Sequence, residues 1–152
     1  MRTPPSMRCV DVNVLVYAHR PDLPEHDAYR NVLNQLANGS EPLGLAEPVL
    51  SGFLRVITNR RIFAEPTPTT RAWKATAALL AAPTAQRLRP SARHWEIFAD
   101  LAQSIDAAGN SVPDAYLAAF AVDNNAEWWS ADRGFARFAQ VRWRHPLEQS
   151  RD

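Results

Sequence analysis

The chain has 152 residues, a length that suits one domain with a single hydrophobic core. Its 17 basic and 16 acidic residues nearly cancel, which excludes binding of a polyanion through overall charge, so any contact with nucleic acid must be local. The single cysteine, Cys9, excludes intramolecular disulfides, and no apolar stretch approaches the ~20 residues of a membrane span. These properties predict a soluble protein of the cytoplasm.

Short apolar runs alternate with helical patterns along the chain. The predicted strands cover residues 8–10, 43–45, 87–89, 127–130 and 141–143. A short helix follows the first run, and further helical patterns cover about residues 29–36, 47–59, 73–80, 95–105, 113–122 and 135–138. Because this alternation is typical of strands joined by helical crossovers, it predicts an α/β fold with a mostly parallel sheet covered by helices.

The domain is predicted to occupy residues 8–147. Residues 1–7 contain two prolines and no periodic pattern, and they are predicted to be a flexible lead-in, within which Met7 is an alternative start. Residues 148–152 are predicted to be a tail. No internal repeat or low-complexity segment suggests a second domain.

Four acidic residues lie where a strand ends or a helix begins: Asp11, Glu47, Asp114 and Asp132. Each alone has an ordinary explanation, since an acid neutralises a helix dipole or shapes a turn. In a doubly wound fold, however, these strand ends meet at one crevice, where several carboxylates repel one another unless a cation compensates. Oxygen ligands without clustered His or Cys favour Mg²⁺ or Mn²⁺, and such a site suits hydrolysis of a phosphodiester.

Four sequence segments carry a resemblance to a known family. Residues 11–18 (DVNVLVYA) resemble the opening motif of PIN-domain proteins, residues 112–121 (VPDAYLAAFA) their third acidic motif and residues 129–135 (WSADRGF) their fourth. With residues 53–63 (FLRVITNRRIF) in between, the chain looks most like the VapC toxins, the ribonucleases of bacterial toxin–antitoxin pairs. The resemblance covers residues 8 to about 147.

The resemblance implies a three-layer α/β/α fold and an endoribonuclease that depends on Mg²⁺, or on Mn²⁺, and cleaves RNA phosphodiesters. It also implies a VapB-type antitoxin as partner and a homodimer. Carried over by position, Asp11, Asp114 and Asp132 become the metal-binding acids, while Asn13 and Ser130 orient them.

The second acidic motif departs from the family pattern. Many PIN domains place a glutamate inside the helix before the Phe-Leu-Arg-Val stretch, and this chain has Gly52 in that register. Glu47 lies five residues earlier, near the predicted helix start. We expect Glu47 to supply the missing carboxylate, and the alternative is a site of three acids.

Arginines and tryptophans supply further candidates. Five arginines flank the acidic motifs and suit contacts with RNA phosphates or with the antitoxin: Arg55, Arg60, Arg61, Arg133 and Arg137. Trp73 and Trp95 follow helical apolar spacing, which predicts core or interface packing rather than stacking on bases. Two alternative functions stay open at this point: a nuclease that acts on DNA or on particular nucleic-acid structures, and a PIN-like adaptor that binds RNA or protein without catalysis.

Overall fold

The computed structural model describes residues 7–148 as an α/β fold. Its strands are β1 (Met7–Val10), β2 (Leu43–Ala46), β3 (Ala85–Leu88), β4 (Ala126–Trp129) and β5 (Trp143–Arg144). Its helices are α1 (Val12–His19), α2 (His26–Ala37), α3 (Glu47–Ile57), α4 (Thr69–Leu80), α5 (His94–Ser104), α6 (Ser111–Asp123) and a 3₁₀ helix, Arg133–Arg137. Residues 1–6 of the predicted lead-in and 149–152 of the predicted tail lie outside the described residues, whereas Met7 is the first residue of β1.

The strands form one parallel sheet in the order β3-β2-β1-β4-β5. The chain moves from β1 outward to β3 and then crosses back to β4, so the direction of winding reverses between β1 and β4. Because parallel crossovers are right-handed, α1 to α4 cover one face of the sheet and α5 and α6 cover the other. This confirms the predicted three-layer α/β/α fold, and it places a topological switch point, where ligands bind in such sheets, beside the end of β1.

Burial of the central strands explains why the sheet holds together. In β1, Cys9 and Val10 are fully buried, and so is Trp128 of the neighbouring strand β4. Because helices cover both faces, most side chains of these central strands are buried, and Arg8 and Glu127 are the partly exposed members of β1 and β4. Burial also raises the pKa of the Cys9 thiol to about 12, which keeps this side chain protonated and inert. None of the helices in residues 7–148 combines the length and apolar character needed to cross a bilayer.

The structure corrects some predicted details. Helix α6 begins at Ser111, two residues before Pro113, because proline is tolerated in a first turn whose N–H groups lack helical partners. Trp73 and Trp95 are 60% and 68% exposed, so neither packs in the core, and packing at an interface stays a prediction. The helices that carry them bury smaller or polar residues instead, among them Ala72 on α4.

Candidate active site

Asp11 lies at the centre of the candidate site. Its backbone N–H donates to Trp129 O (2.9 Å), which extends the pairing of β1 with β4 by one residue and fixes where the side chain starts. Oδ1 accepts from the Val12 N–H (2.7 Å) as the N-cap of α1, while Oδ2 accepts from Ser130 Oγ (2.6 Å) and more weakly from Asn13 Nδ2 (3.4 Å). Only 7% of Asp11 is exposed, so its carboxylate is held in one orientation.

Ser130 and Asn13 join the end of β1 to the turn after β4. The buried Ser130 hydroxyl donates to Asp11 and accepts from the Asp132 N–H and from Asn13 Nδ2, both at 3.1 Å. One donor and two acceptor positions are thereby all used. Asn13 Oδ1 also accepts from the Ala131 N–H (3.1 Å). These contacts hold Asn13 and Ser130 against Asp11, and the role in orienting metal ligands that the resemblance implies stays a prediction.

Asp132 is the N-cap of the short 3₁₀ helix. Its Oδ1 accepts from the Gly134 N–H (2.8 Å), and a Cβ at residue 134 would come within 3.0 Å of that same oxygen. Phe135 and Phe138 are buried and fix the turn to the core. The carboxylate of Asp132 is therefore exposed on an anchored turn, and Gly134 leaves room beside it.

Asp114 comes from the opposite wall of the site. It lies in the first turn of α6, and its Oδ2 accepts from Arg137 Nη2 at 2.9 Å. The side chain of Asp114 is 28% exposed, so it is partly shielded from solvent. The pairing between Asp114 and Arg137 was not foreseen, although the sequence placed Arg137 among the arginines that flank the acids.

The three aspartates share one electrostatic environment. Burial raises the pKa of Asp11 most; Asp114 and Asp132 raise it further, while hydrogen bonds from Ser130 and the Val12 N–H lower it. Burial is also the largest cause of the raised pKa of Asp114. The negative charge of Asp132 raises this pKa further, and Arg137 lowers it. The structure thus brings Asp11, Asp114 and Asp132 together, and their mutual repulsion is the kind that a cation relieves.

The donor set suits a hard divalent cation. Its atoms are carboxylate oxygens and one carboxylate is nearly buried. Burial raises the pKa of Asp11 and of Asp114, and neighbouring acids add to the rise. In residues 7–148, no group of three or more acidic, His or Cys side chains already stands in the arrangement of a metal site. Arg137 donates to one Asp114 oxygen and Ser130 to one Asp11 oxygen, so shared coordination requires the side chains to rearrange.

Glu47 is not brought into this group. It begins α3 directly after β2, at the carboxyl edge of the sheet, but its Oε2 accepts from Arg89 Nε (3.1 Å) and lies 3.4 Å from Arg87 Nε. Arg87 lies in β3 and Arg89 directly follows that strand. Strand β3 lies on the side of β2 away from β1. The acids that shift the pKa of Asp11 are Asp114 and Asp132, with no contribution from Glu47.

Gly52 explains why the usual glutamate is absent. A Cβ at residue 52 would come within 2.9 Å of Val12 Cγ2, so any side chain there requires Val12 to move. Gly52 therefore lets α3 pack closely against Val12 at the start of α1, and a glutamate in this register would displace that side chain. The departure from the family pattern is built into the packing beside Asp11.

A groove of about 560 Å³ adjoins the acids. Its lining includes Val12 and Pro113, the chain neighbours of Asp11 and Asp114, together with Arg55, Phe98 and Tyr116. Arg55 is exposed on α3. The groove therefore lies beside the segments that carry Asp11 and Asp114, and Arg55 places one positive charge on its wall.

The other predicted arginines lie at different distances from the acids. Arg60 and Arg61 are exposed in the turn after α3, and the 11 residues of that helix, about 16 Å in length, separate them from its start. Arg133 lies beside Asp132 in sequence but pairs with Glu148. Of the flanking arginines, Arg137 is the one whose guanidinium contacts an acid of the site.

Comparison with known proteins identifies the family. The family model described as the PIN domain matches residues 8–141. Ribonuclease VapC43 of Mycobacterium tuberculosis is 64% identical over 142 residues, which cover 93% of this chain and 97% of that protein. The chain belongs to the PIN-domain family of VapC ribonucleases. Ribonuclease VapC25 of the same organism is 40% identical over 140 residues, covering 92% of this chain and 99% of its own.

A solved structure gives the same fold. The VapBC2 complex of Rickettsia felis, bound to a DNA fragment from its promoter, contains a chain that matches this PIN domain with a TM-score of 0.69 at 18% identity. The match covers 91% of this chain and 97% of that one. The sheet, the helices on both sides and the crevice at the end of β1 are thus those of a PIN domain.

Proposed function

We propose that this protein is a Mg²⁺-dependent endoribonuclease toxin. VapC ribonucleases of the PIN family generally depend on a divalent metal, and the relatives named above are ribonucleases. The observation that carries the proposal is the group formed by Asp11, Asp114 and Asp132 at the switch point of the sheet. Three coupled carboxylates in a crevice are unsuited to binding the RNA backbone unless a cation stands between them.

Asp11, Asp114 and Asp132 are the residues that would hold the cation. Bound there, Mg²⁺ would lower the pKa of water and neutralise the phosphodiester, and Mn²⁺ has the same preference for oxygen. The side chains around these acids hold them in place. Ser130 and Asn13 fix the Asp11 carboxylate, and the anchored 3₁₀ helix fixes Asp132. RNA would lie along the groove beside the acids, and Arg55 suits contact with a phosphate there.

The same family likeness supports the partners. We infer a VapB-type antitoxin that blocks the acids, a homodimer, and a cytoplasmic location where RNA is the substrate. Arg60, Arg61 and Arg133 are exposed and serve either RNA or the antitoxin. Exposed Trp95, which contacts Phe98 at the groove, offers an aromatic anchor for a second protein surface.

Cleavage of RNA by the purified chain tests the function. We expect Mg²⁺ to support internal cleavage of RNA, EDTA to stop it and re-added Mg²⁺ or Mn²⁺ to restore it. Induction of the chain in bacteria should arrest growth, and co-expression of its antitoxin should relieve the arrest. DNA under the same conditions is the control, because faster cleavage of DNA than of RNA favours the nuclease alternative. Metal-supported RNA binding without any cleavage favours the adaptor.

Glu47→Gln tests whether the fourth predicted acid takes part. Since Arg87 and Arg89 hold the Glu47 carboxylate away from the aspartates, we expect the cleavage rate and the Mg²⁺ midpoint to stay within about threefold of wild type. Stability should fall by about 0–1 kcal/mol, as for an exposed ion pair. A loss of several orders of magnitude in rate, with a higher Mg²⁺ midpoint, would instead show that Glu47 leaves the arginines and joins the cation site.

A further inference from the structure

Arg137 is the cation that the fold itself supplies to the acidic site. It is the last residue of the 3₁₀ helix and lies five residues after Asp132. Its Nη2 donates to Asp114 Oδ2 at 2.9 Å, and its guanidinium carbon lies 5.3 Å from the centre of the Phe138 ring. Two-fifths of the side chain, 41%, remains exposed. One nitrogen of the guanidinium is thus engaged, while much of the side chain is exposed to solvent.

The position of Arg137 is set by the same turn that sets Asp132. Phe135 and Phe138, on either side of Arg137 in this turn, are 2% and 1% exposed. Asp132 caps the turn through Gly134. Arg137 and Asp132 therefore share one anchored element, and Arg137 reaches across from it to Asp114 on α6. A guanidinium held this way can move between neighbouring anions by side-chain rotation alone.

A contact between Arg137 and Asp114 competes with a bound cation. Asp114 Oδ2 is among the oxygens proposed to hold the metal, and it now accepts from Arg137. Two positive charges on one carboxylate repel each other. Binding of a cation at the site therefore weakens the contact between Arg137 and Asp114. A guanidinium has five N–H donors whose geometry fits phosphate oxygens, and the scissile phosphate must approach the same acids.

Other nearby arginines are less suited to this role. Arg133, on the same turn, is directed to Glu148, and Arg55 lies across the groove on α3. Arg142 lies before β5, at the amino edge of the sheet, and pairs with Asn125. Among these residues, Arg137 is the one in contact with a metal-binding acid.

We propose that Arg137 is the phosphate-binding residue of this site: it neutralises Asp114 in the resting protein and passes to an oxygen of the scissile RNA phosphate in the loaded enzyme. This inference rests on the proposed ribonuclease function. It requires that Arg137 weakens binding of the cation and accelerates cleavage of RNA. Those opposite effects separate it from a residue that only supports the fold, whose loss would harm both.

The test compares Arg137→Ala and Arg137→Lys with Arg142→Ala, a control that removes an arginine whose side chain donates to the amide oxygen of Asn125 rather than to a carboxylate. Binding of Mn²⁺ alone is measured by calorimetry without RNA. We expect Arg137→Ala to bind Mn²⁺ about three- to tenfold more tightly than wild type, because a competing partly exposed charge is gone. The Mn²⁺ affinity of Arg137→Lys should lie between those of Arg137→Ala and wild type. The affinity of Arg142→Ala should match that of wild type.

Cleavage is then measured at saturating Mg²⁺. We expect kcat/KM for RNA to fall about a hundredfold in Arg137→Ala, the usual effect of losing one donor to a reacting group, and to recover in part in Arg137→Lys. Unchanged melting temperatures would show that the variants fold. Wild-type cleavage by Arg137→Ala, or weaker Mn²⁺ binding together with slower cleavage, would overturn the inference. Failure of the wild-type protein itself to cleave RNA would instead overturn the proposed function, while the Mn²⁺ measurement still decides whether Arg137 competes for Asp114.

Discussion

Asp11→Asn and Asp114→Asn are each expected to reduce RNA cleavage about a thousandfold or more and to abolish growth inhibition. Either change removes one negative charge from the cation site with little change in side-chain shape, so transition-state stabilisation by the cation is lost while the fold remains. Cleavage of a defined RNA at saturating Mg²⁺ measures the effect. Asp100→Asn, which changes an exposed acid on α5, is the matched control and should cleave at the wild-type rate.

The same variants have a second readout in the stability of the metal-free protein. Burial and neighbouring acids raise the pKa of Asp11 and of Asp114 in the folded state, so ionisation of these groups disfavours folding at neutral pH. The penalty is present above the raised pKa and disappears as the pH falls through it toward the unfolded value of about 3.9. Asp114→Asn should therefore melt no lower than wild type at pH 7, and any gain should vanish near pH 4.

Addition of Mg²⁺ should reverse the order of the melting temperatures of wild type and Asp114→Asn. The wild-type protein gains stability by binding the cation, whereas a variant with a weakened site gains less. Thermal melts with and without Mg²⁺ at pH 7 measure both states. Wild-type turnover by a folded Asp11→Asn or Asp114→Asn variant would contradict the site assignment, and equal stabilisation of all variants by Mg²⁺ would place the cation elsewhere.

The sequence predicts the site where strand and acid are neighbours along the chain. Asp11 directly follows β1, and Asp132 follows β4 with only Ser130 and Ala131 between, so a buried apolar run fixes the position of each carboxylate. Asp114 is predictable for a related reason, because the first turn of a helix at the carboxyl edge faces the crevice. The parallel α/β fold follows from the alternation of such runs with helical spacing.

Contacts between distant segments could not be predicted in this way. Glu47 sits at the expected edge, yet its side chain turns to Arg87 and Arg89 because β2 pairs with β3. Periodicity fixes which residues share a helix face but not whether anything covers that face, and the exposed Trp73 and Trp95 show the difference.

The pairing of Arg137 with Asp114 has the same character. It joins a 3₁₀ helix to α6 over 23 residues of sequence, and no local pattern specifies it. The only sequence signal for such a pairing is a basic residue shortly after an acidic motif, on the same predicted turn. The structure is needed to show which acid that cation reaches.

Ser130→Ala is expected to weaken both folding and catalysis. The buried hydroxyl serves three partners, Asp11 Oδ2, the Asp132 N–H and Asn13 Nδ2, and alanine leaves all three without it. Unsatisfied buried groups of this kind cost about 1–3 kcal/mol in the free energy of unfolding. Loss of a group that orients metal ligands usually lowers activity about 10–100-fold, and we expect cleavage to fall by that amount.

The pH profile of cleavage distinguishes orientation from simple support of the fold. Ser130 donates to the Asp11 carboxylate and so lowers its pKa against the raising effect of burial. Without that hydrogen bond the pKa rises further, and because the site needs ionised Asp11, the acidic limb of the profile should move to higher pH in Ser130→Ala. Ser104→Ala, which removes a hydroxyl bonded to the Leu101 carbonyl on α5, is the control and should leave the profile unchanged. Lower stability in Ser130→Ala with an acidic limb at the wild-type pH would mean that Ser130 holds the turn together without tuning Asp11.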